Sequence, residues 1–197
     1  MEQSSLEKLK FAGAWLGVFA AALWLVFIAD WILPGDFNQW GIVPRSLHGL
    51  WGILFSPFLH ADLGHLLSNF IPLMILLAML LLTQREGWWI VLQILLLGGL
   101  LLWVFGRPAM HIGASGLIYG LIAYLMTAGF RQGRFGPALA ALVVGFLYGG
   151  TLLWGVLPTV GEHVSWDGHL TSAIAGGLLG YFSSTQSPPK PVVDDLA

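Results

Sequence analysis

The stretch that decides the fold is GASGLIYGLIAYLMTAGF, residues 113–130. It begins as a polar turn and continues at once as an apolar segment, so the hydroxyl of Ser115 stands at the start of a hydrocarbon-length helix. The last apolar segment of the chain carries the imidazole of His169 in the same position, directly after Gly168. Polar side chains in such segments are costly unless they face something polar. The sequence therefore predicts a polar site enclosed among apolar helices.

Composition identifies the class of protein. Of the 197 residues, 57% are hydrophobic and only 9% are charged, whereas about a quarter of the residues in a soluble domain are charged. The 26 glycines and 10 tryptophans suit a packed membrane bundle with aromatic residues at the interfaces. A net charge of −2 argues against a nucleic-acid partner. The absence of cysteine excludes disulfides, thiol catalysis and cysteine-based zinc sites.

Six segments are apolar enough to cross, or nearly cross, a bilayer that needs roughly 20 residues per helix. The sequence thus predicts an all-α membrane protein with a six-helix bundle. The segments are Phe11–Leu33, Leu63–Thr83, Trp88–Phe105, Ser115–Phe130, Pro137–Leu157 and Gly168–Phe182. Three regions follow: a cytoplasmic N-terminal segment (1–10), the six-helix domain (11–182) and a Pro- and Asp-containing tail (183–197) expected to be disordered and cytoplasmic.

Lysine and arginine concentrate in cytoplasmic loops and so predict the orientation. With both termini inside, six basic residues are inside and two outside. The inside residues are Lys8, Lys10, Arg85, Arg131, Arg134 and Lys190, and the outside ones are Arg45 and Arg107. In this topology the second, fourth and sixth segments all enter from outside. The fourth spans about 24 Å against a hydrocarbon core of roughly 30 Å, so its start is expected below the outer surface in a water-filled pocket.

Small residues at four-residue spacing predict how the fourth and sixth segments pack. These residues are Gly116 and Gly120 in one, and Ser172, Gly176 and Gly180 in the other. Such rows let two helices approach closely in lipid. Because both segments run from outside to inside, they are expected to pack in parallel, with Ser115 beside His169. Tyr119 is one turn below Ser115 and is expected to stack on the ring of His169.

A third polar set opens the second segment. It is the motif HADLGHLLSN of residues 60–69, with His60, His65 and Asn69. Together with Gly113-Ala114-Ser115-Gly116, Tyr119 and Gly168-His169, this motif resembles the rhomboid family of intramembrane serine proteases. The resemblance covers nearly the whole chain.

The resemblance implies an endopeptidase that hydrolyses peptide bonds in or near transmembrane segments. Ser115 would be the nucleophile and His169 its base, without an acidic third member. His65 and Asn69, with the backbone N–H of Ser115, would form the oxyanion hole. Supporting roles are implied for His60, Gly113, Gly116 and Tyr119. No metal or cofactor is expected, and the partners would be a single-pass membrane-protein substrate and the lipid bilayer.

Two departures from the family pattern stand out. Many rhomboids carry Trp-Arg in the first loop where this chain has Trp51-Gly52, so the usual contacts that anchor this loop are in question. After His169 the chain continues Leu-Thr-Ser-Ala, and because Ser172 is small we still expect close packing. Asp167 is two residues from His169 and off its helix face, so we expect a helix cap or a solvated charge, and we expect a loop contact for His111.

Three other functions compete with the protease. A metalloprotease is disfavoured because no His-Glu-x-x-His motif occurs. A non-catalytic relative that binds membrane clients would typically lack the serine or the histidine. A transporter or channel would be marked by charges in mid-membrane, and the apolar segments have essentially none. The short chain with minimal loops suggests a bacterial inner-membrane protein, with its active site open to the outer side.

Overall fold

The computed structural model describes residues 2–84, 86–133, 135–158 and 164–183. Within these ranges the chain is helical and forms no β-strand. The α-helices are α1 (Glu2–Ile32), α2 (Gly52–Phe55), α3 (Leu63–Thr83), α4 (Gly87–Phe105), α5 (Ser115–Gln132), α6 (Phe135–Gly155) and α7 (Trp166–Ser183). The expected disordered tail lies outside the described residues, apart from Ser183.

The six long helices coincide with the six apolar segments of the sequence. The largest difference is at the N-terminus, where α1 begins at Glu2 and so includes most of the segment before Phe11. In the part of the chain that the structure describes, three helices are long and apolar enough to cross a membrane by length and composition: Leu9–Ile32, Leu63–Thr83 and Gly87–Phe105. α5 and α7 contain more polar residues than these three, and many of their side chains are buried among the other helices.

The interface between α5 and α7 is the most extensive in the described structure. A Cβ atom added to Gly176 would collide with the backbone of Gly120, and one added to Gly180 would lie 2.8 Å from the carbonyl oxygen of Tyr124. Gly116 faces the hydroxyl of Ser172 one turn earlier. Residue numbers rise together along both helices, so the predicted parallel packing is confirmed. Glycine is required here because the two backbones touch.

The other helices enclose this pair. α4 packs antiparallel on α7, with Gly98 against Ser172 and Leu102 against Gly168. A core of fully buried leucine and isoleucine side chains joins α3 and α5. Since close-packed apolar side chains resist displacement, the axes of α5 and α7 keep a fixed spacing.

The connection from α1 to α3 is compact. It contains α2 and three short 3-10 turns, at Phe37–Trp40, His48–Leu50 and Ser56–Phe58. Gly52 is buried in this connection, and a Cβ atom there would collide with the backbone of Gly41 and Ile42. An arginine at position 52 would not fit this arrangement.

Arg45 supplies an anchor for the same connection. Its guanidinium Nη1 donates to the carbonyl oxygens of Gly106 (2.8 Å) and Val104 (3.2 Å) at the end of α4. Trp103 Nε1 donates in turn to the carbonyl oxygen of Ser46 at 2.7 Å. These bonds satisfy carbonyls that a helix end leaves unpaired, and they tie the connection to α4.

Candidate active site

Ser115 is the first residue of α5, and the turn before it is shaped by a glycine. Gly113 has φ of +101°, which a residue with a side chain rarely adopts. The backbone N–H groups in the first turn of a helix lack intrahelical partners and carry the positive end of its dipole. The hydroxyl of Ser115 therefore lies beside backbone donors that can bind an anion.

His169 lies in the first turn of α7, and its ring is held at both nitrogens. Nε2 is 2.8 Å from Ser115 Oγ, and Nδ1 is 2.8 Å from the carbonyl oxygen of Gly155 at the end of α6. A carbonyl oxygen only accepts, so the proton of a neutral ring resides on Nδ1 and leaves Nε2 to accept from the serine hydroxyl. This is the tautomer that a general base requires.

The ring of Tyr119 lies flat on that of His169, with centroids 4.2 Å apart and planes 7° from parallel. Tyr119 also lies against Gly155, where an added Cβ atom would collide with the phenol. One residue of α6 thus contacts both rings. The imidazole is fixed by two hydrogen-bonding partners and one stacked face, which leaves it little rotational freedom.

The polar residues of α3 lie at the same turn. A Cβ atom on Gly113 would be 2.6 Å from His65 Nε2, which is too close for the ring in its present position, and 3.7 Å from Asn69 Nδ2, which is ordinary contact. Asn69 Nδ2 donates to the carbonyl oxygen of His65 at 2.9 Å, which uses one of its two N–H bonds. Both side chains therefore adjoin the residue two positions before Ser115.

His60 packs behind this group. It is 2% exposed and meets the ring of His65 edge to face, with centroids 5.0 Å apart. Burial and the neighbouring His65 lower the pKa of His60 to about 4. Its Nδ1–H donates a long bond to the carbonyl oxygen of Phe58 at 3.4 Å. A buried neutral ring in contact with His65 holds that side chain towards Gly113.

A cavity of about 40 Å³ adjoins Ser115 on the side away from α6. It is large enough for roughly three water molecules, since one needs about 10–15 Å³. Besides Ser115, its polar lining comes from three parts of the chain: Ser56, His111, and the start of α7 with Ser165 and Ser172. Water held there would have hydrogen-bonding partners and would be next to the serine.

Two features of the site could not be predicted from the sequence. Gly155 bonds to His169 through its backbone, and a backbone carbonyl has no sequence signature. Asp167 is not a solvated charge: it is 6% exposed and forms an ion pair with Arg107 at 3.2 Å. His111 does make a loop contact, since its Nδ1 lies 2.6 Å from Ser165 Oγ. Burial lowers the pKa of His111, against the opposing effect of Asp167.

Comparison with known families matches residues 47–186 to the Rhomboid domain. The chain belongs to the rhomboid family. Rhomboids are a family of intramembrane proteases, and with three membrane-capable helices this rhomboid is an integral membrane protein.

Similar proteins occur in mycobacteria. An uncharacterized protein of Mycobacterium tuberculosis is 39% identical over 181 residues, which cover 87% of this rhomboid and 75% of the relative. An uncharacterized protein of Mycobacterium leprae is 36% identical over 181 residues, covering 87% and 71%. The matched Rhomboid domain begins at residue 47, so it includes all of the residues described above except those of α1 and the first turns that follow it.

Proposed function

We propose that this rhomboid is an active serine endopeptidase that cleaves membrane-protein substrates in or near their transmembrane segments. Ser115 is the nucleophile and His169 the general base. The observation that carries the proposal is the 2.8 Å separation of Ser115 Oγ and His169 Nε2, with Nδ1 engaged by the carbonyl oxygen of Gly155. A serine hydroxyl becomes a useful nucleophile only when such a base takes its proton.

The proton then has a defined route. His169 accepts it through Nε2 as Ser115 attacks the scissile carbonyl, and returns it from the same nitrogen to the leaving amine. The imidazolium that forms keeps its Nδ1–H bond to the carbonyl oxygen of Gly155. A carbonyl dipole stabilises the charged ring as the carboxylate of a triad does, but with a smaller charge. The stacked ring of Tyr119 keeps the imidazole in the plane that both transfers need.

The oxyanion formed by this attack needs fixed donors. We assign this role to the backbone N–H of Ser115, the ring of His65 and the free N–H of Asn69. Each such donor is typically worth about 100- to 1,000-fold in rate. Gly113 and Gly116 support the site by allowing close approach, Gly113 to His65 and Gly116 to the hydroxyl of Ser172. His60 supports it by packing against His65.

The membrane arrangement is part of the same proposal. Residues 11–182 form the protease domain, cross the membrane six times and leave both termini in the cytoplasm. The site then opens to the outer side of a bacterial inner membrane, and the substrate is a single-pass membrane protein. The distribution of lysine and arginine supports this orientation.

The decisive experiment uses purified protein in liposomes with a fluorogenic transmembrane substrate. Cleavage is expected in the presence of chelators, and a fluorophosphonate probe is expected to label Ser115, as identified by peptide mapping. Ser115→Ala and His169→Ala should each abolish both signals while the protein still inserts and folds. Asn69→Ala should reduce turnover without abolishing it, because other donors stay in place.

Three outcomes would contradict the proposal. Near-wild-type turnover by Ser115→Ala would falsify the nucleophile assignment, and sensitivity to chelators would favour a metalloprotease. A folded wild-type protein that neither cleaves nor reacts with the probe would instead be a non-catalytic member that binds its clients.

A further inference from the structure

The two segments that precede Ser115 and His169 are joined by an ion pair outside the dyad, in which the carboxylate of Asp167 is buried and the guanidinium of Arg107 is partly exposed. Asp167 is in the first turn of α7, two residues before His169. Its Oδ2 accepts the backbone N–H of Arg107 at 2.8 Å, and its Oδ1 accepts Nη2 of the same arginine at 3.2 Å. Nη2 also donates to the carbonyl oxygen of Val164 at 2.9 Å. The guanidinium lies 5.2 Å from the ring of Trp166. One arginine thus contacts three residues at the start of α7.

Arg107 belongs to the segment that leads to the serine. Residues 106–114 connect α4 to α5 without regular secondary structure. His111 adds two further contacts: its Nδ1 bonds to Ser165 Oγ at 2.6 Å and its Nε2 lies 3.3 Å from the carbonyl oxygen of Arg107. The N–H of Gly113 also donates to the carbonyl oxygen of Ser56 at 2.8 Å. The backbone of His111 pairs with that of Ile42 through two bonds of 2.8 and 2.9 Å. The segment before Ser115 is therefore bound to the start of α7 at two points, and it is bound to the connection between α1 and α3 through Arg45, Ile42 and Ser56.

We propose that Asp167 and Arg107 form a clamp that sets the distance between Ser115 and His169. Both are positioning residues: neither touches the dyad, but Asp167 fixes the chain two residues before His169 and Arg107 fixes it eight residues before Ser115. The inference rests on the proposed function and extends it to the outer loops. His111 and Ser165 form the second contact of the same connection.

Two physical arguments support a positioning role. The packing of α5 on α7 extends up to Gly116, but Ser115 and His169 lie in the first turns, where backbone N–H groups have no intrahelical partner and the preceding loops add further contacts. A buried carboxylate is also costly unless it is paired and fully hydrogen-bonded, and Asp167 is 6% exposed. Because a displacement of about 1 Å can reduce a rate about 100-fold, a contact that fixes these first turns acts directly on the chemistry.

The test compares the full-length wild-type protein with Asp167→Ala, Asp167→Asn and Arg107→Ala. Asp30→Asn is the matched control, since Asp30, in the last turn of α1, also accepts a backbone N–H, that of Phe37 at 2.6 Å. The measurements are the rate and the final extent of fluorophosphonate labelling, together with kcat and KM for a transmembrane substrate. The extent of labelling reports the folded fraction, and the rate reports the geometry of the dyad.

Asp167→Ala is expected to lower the labelling rate and kcat together by about 10- to 100-fold while KM stays within about twofold. Asp167→Asn should lose less, because the amide oxygen still accepts the N–H of Arg107. Arg107→Ala should also lose less, because its backbone N–H is retained. Asp30→Asn should match the wild type. A labelling rate that stays at the wild-type value in Asp167→Ala would overturn the clamp, and so would a loss confined to the folded fraction.

A second measurement does not depend on activity. Because the chain has no cysteine, spin labels can be attached at Ala109→Cys and Leu170→Cys, two exposed positions on either side of the clamp. In the doubly labelled protein with Asp167 intact, we expect a narrow distribution of distances between the two spin labels. After Asp167→Ala is added, we expect a broader distribution. An unchanged distribution would contradict the clamp. If the wild-type protein does not react with the probe at all, the proposed function fails and this distance measurement alone decides on the clamp.

Discussion

Two helices pack on α5 near the dyad, α7 and α6, and they differ in how extensively they are packed. On one side, α7 lies against α5 with backbone touching backbone at Gly120 and Gly176. On the other side, α6 packs mainly on α5 and has few contacts with any other helix. Nothing in the described part of the chain lies within 4 Å of a Cβ atom added at Gly149 or Gly150 of α6. Phe146 of α6 is 89% exposed.

Because α7 and α6 differ in packing, they contribute differently to the site. The α5–α7 interface brings Ser115 and His169 together, and its rigidity follows from close backbone contact. The loosely held α6 contributes the carbonyl oxygen of Gly155, which fixes the tautomer of His169. The pairing of the dyad and its protonation state are therefore supported by different helices. A movement of α6 would disturb the base without separating the two side chains.

The strongest test of the comparison is a valine at the tight interface. Gly176→Val introduces a branched side chain where even a Cβ atom collides with the backbone of Gly120. We expect a loss of at least about 100-fold in labelling by a fluorophosphonate, because α5 and α7 must separate by more than 1 Å. Gly149→Val is the matched control on α6 and should retain activity within about threefold. Equal losses in the two variants would contradict the proposed difference in packing.

A smaller substitution tests the contact made by α6. Gly155→Ala places a methyl group against Tyr119, so the end of α6 or the phenol ring must shift. We expect kcat to fall by about 10- to 100-fold while folding is preserved, because the partner of His169 Nδ1 is displaced. Gly150→Ala, five residues earlier, gains the same helix propensity without this contact. If Gly150→Ala loses as much activity as Gly155→Ala, the effect belongs to the helix as a whole and not to the contact.

The smallest expected effect is a pH dependence of the protein's stability that arises from His60, which packs against His65. The pKa of His60 is about 4 in the folded protein against an ordinary 6.5, so the unfolded chain binds a proton first as the pH falls. Stability should therefore decrease between pH 6.5 and 4, and this contribution should be constant above pH 6.5. In detergent the apparent Tm should fall by about 5 °C more in the wild type than in His60→Gln over that window. Parallel pH dependences of the two proteins would contradict this role for His60.

Much of the fold could be predicted because the length and spacing of apolar residues indicate membrane helices directly from the sequence. The six segments, the parallel packing of α5 and α7 and the stacking of Tyr119 on His169 all follow from helical periodicity and the spacing of small residues. The position of Arg45 could not be predicted, since its bonds to Val104 and Gly106 depend on where a loop folds back. Nor could the requirement for Gly52, which arises from contact with a turn about ten residues away.

The environment of Asp167 shows where sequence reasoning about the site ends. Helical spacing correctly separates Asp167 from the face of His169, but spacing does not indicate what lies opposite the carboxylate. Its partner Arg107 is 60 residues away in an irregular connection. The contact between His169 and Gly155 is likewise made through a main-chain atom that every residue type possesses.

The sequence by itself determined that the chain is a helical membrane protein and a rhomboid, and it identified the residues that would carry the chemistry. Hydrophobic length, small-residue spacing and polar residues at segment starts are local properties, so they can be read without coordinates. Only the tertiary structure decided what holds the ring of His169 towards Ser115 and what ties the connection before Ser115 to α7. Those contacts join atoms from distant parts of the chain, and their distances depend on how whole helices and loops pack.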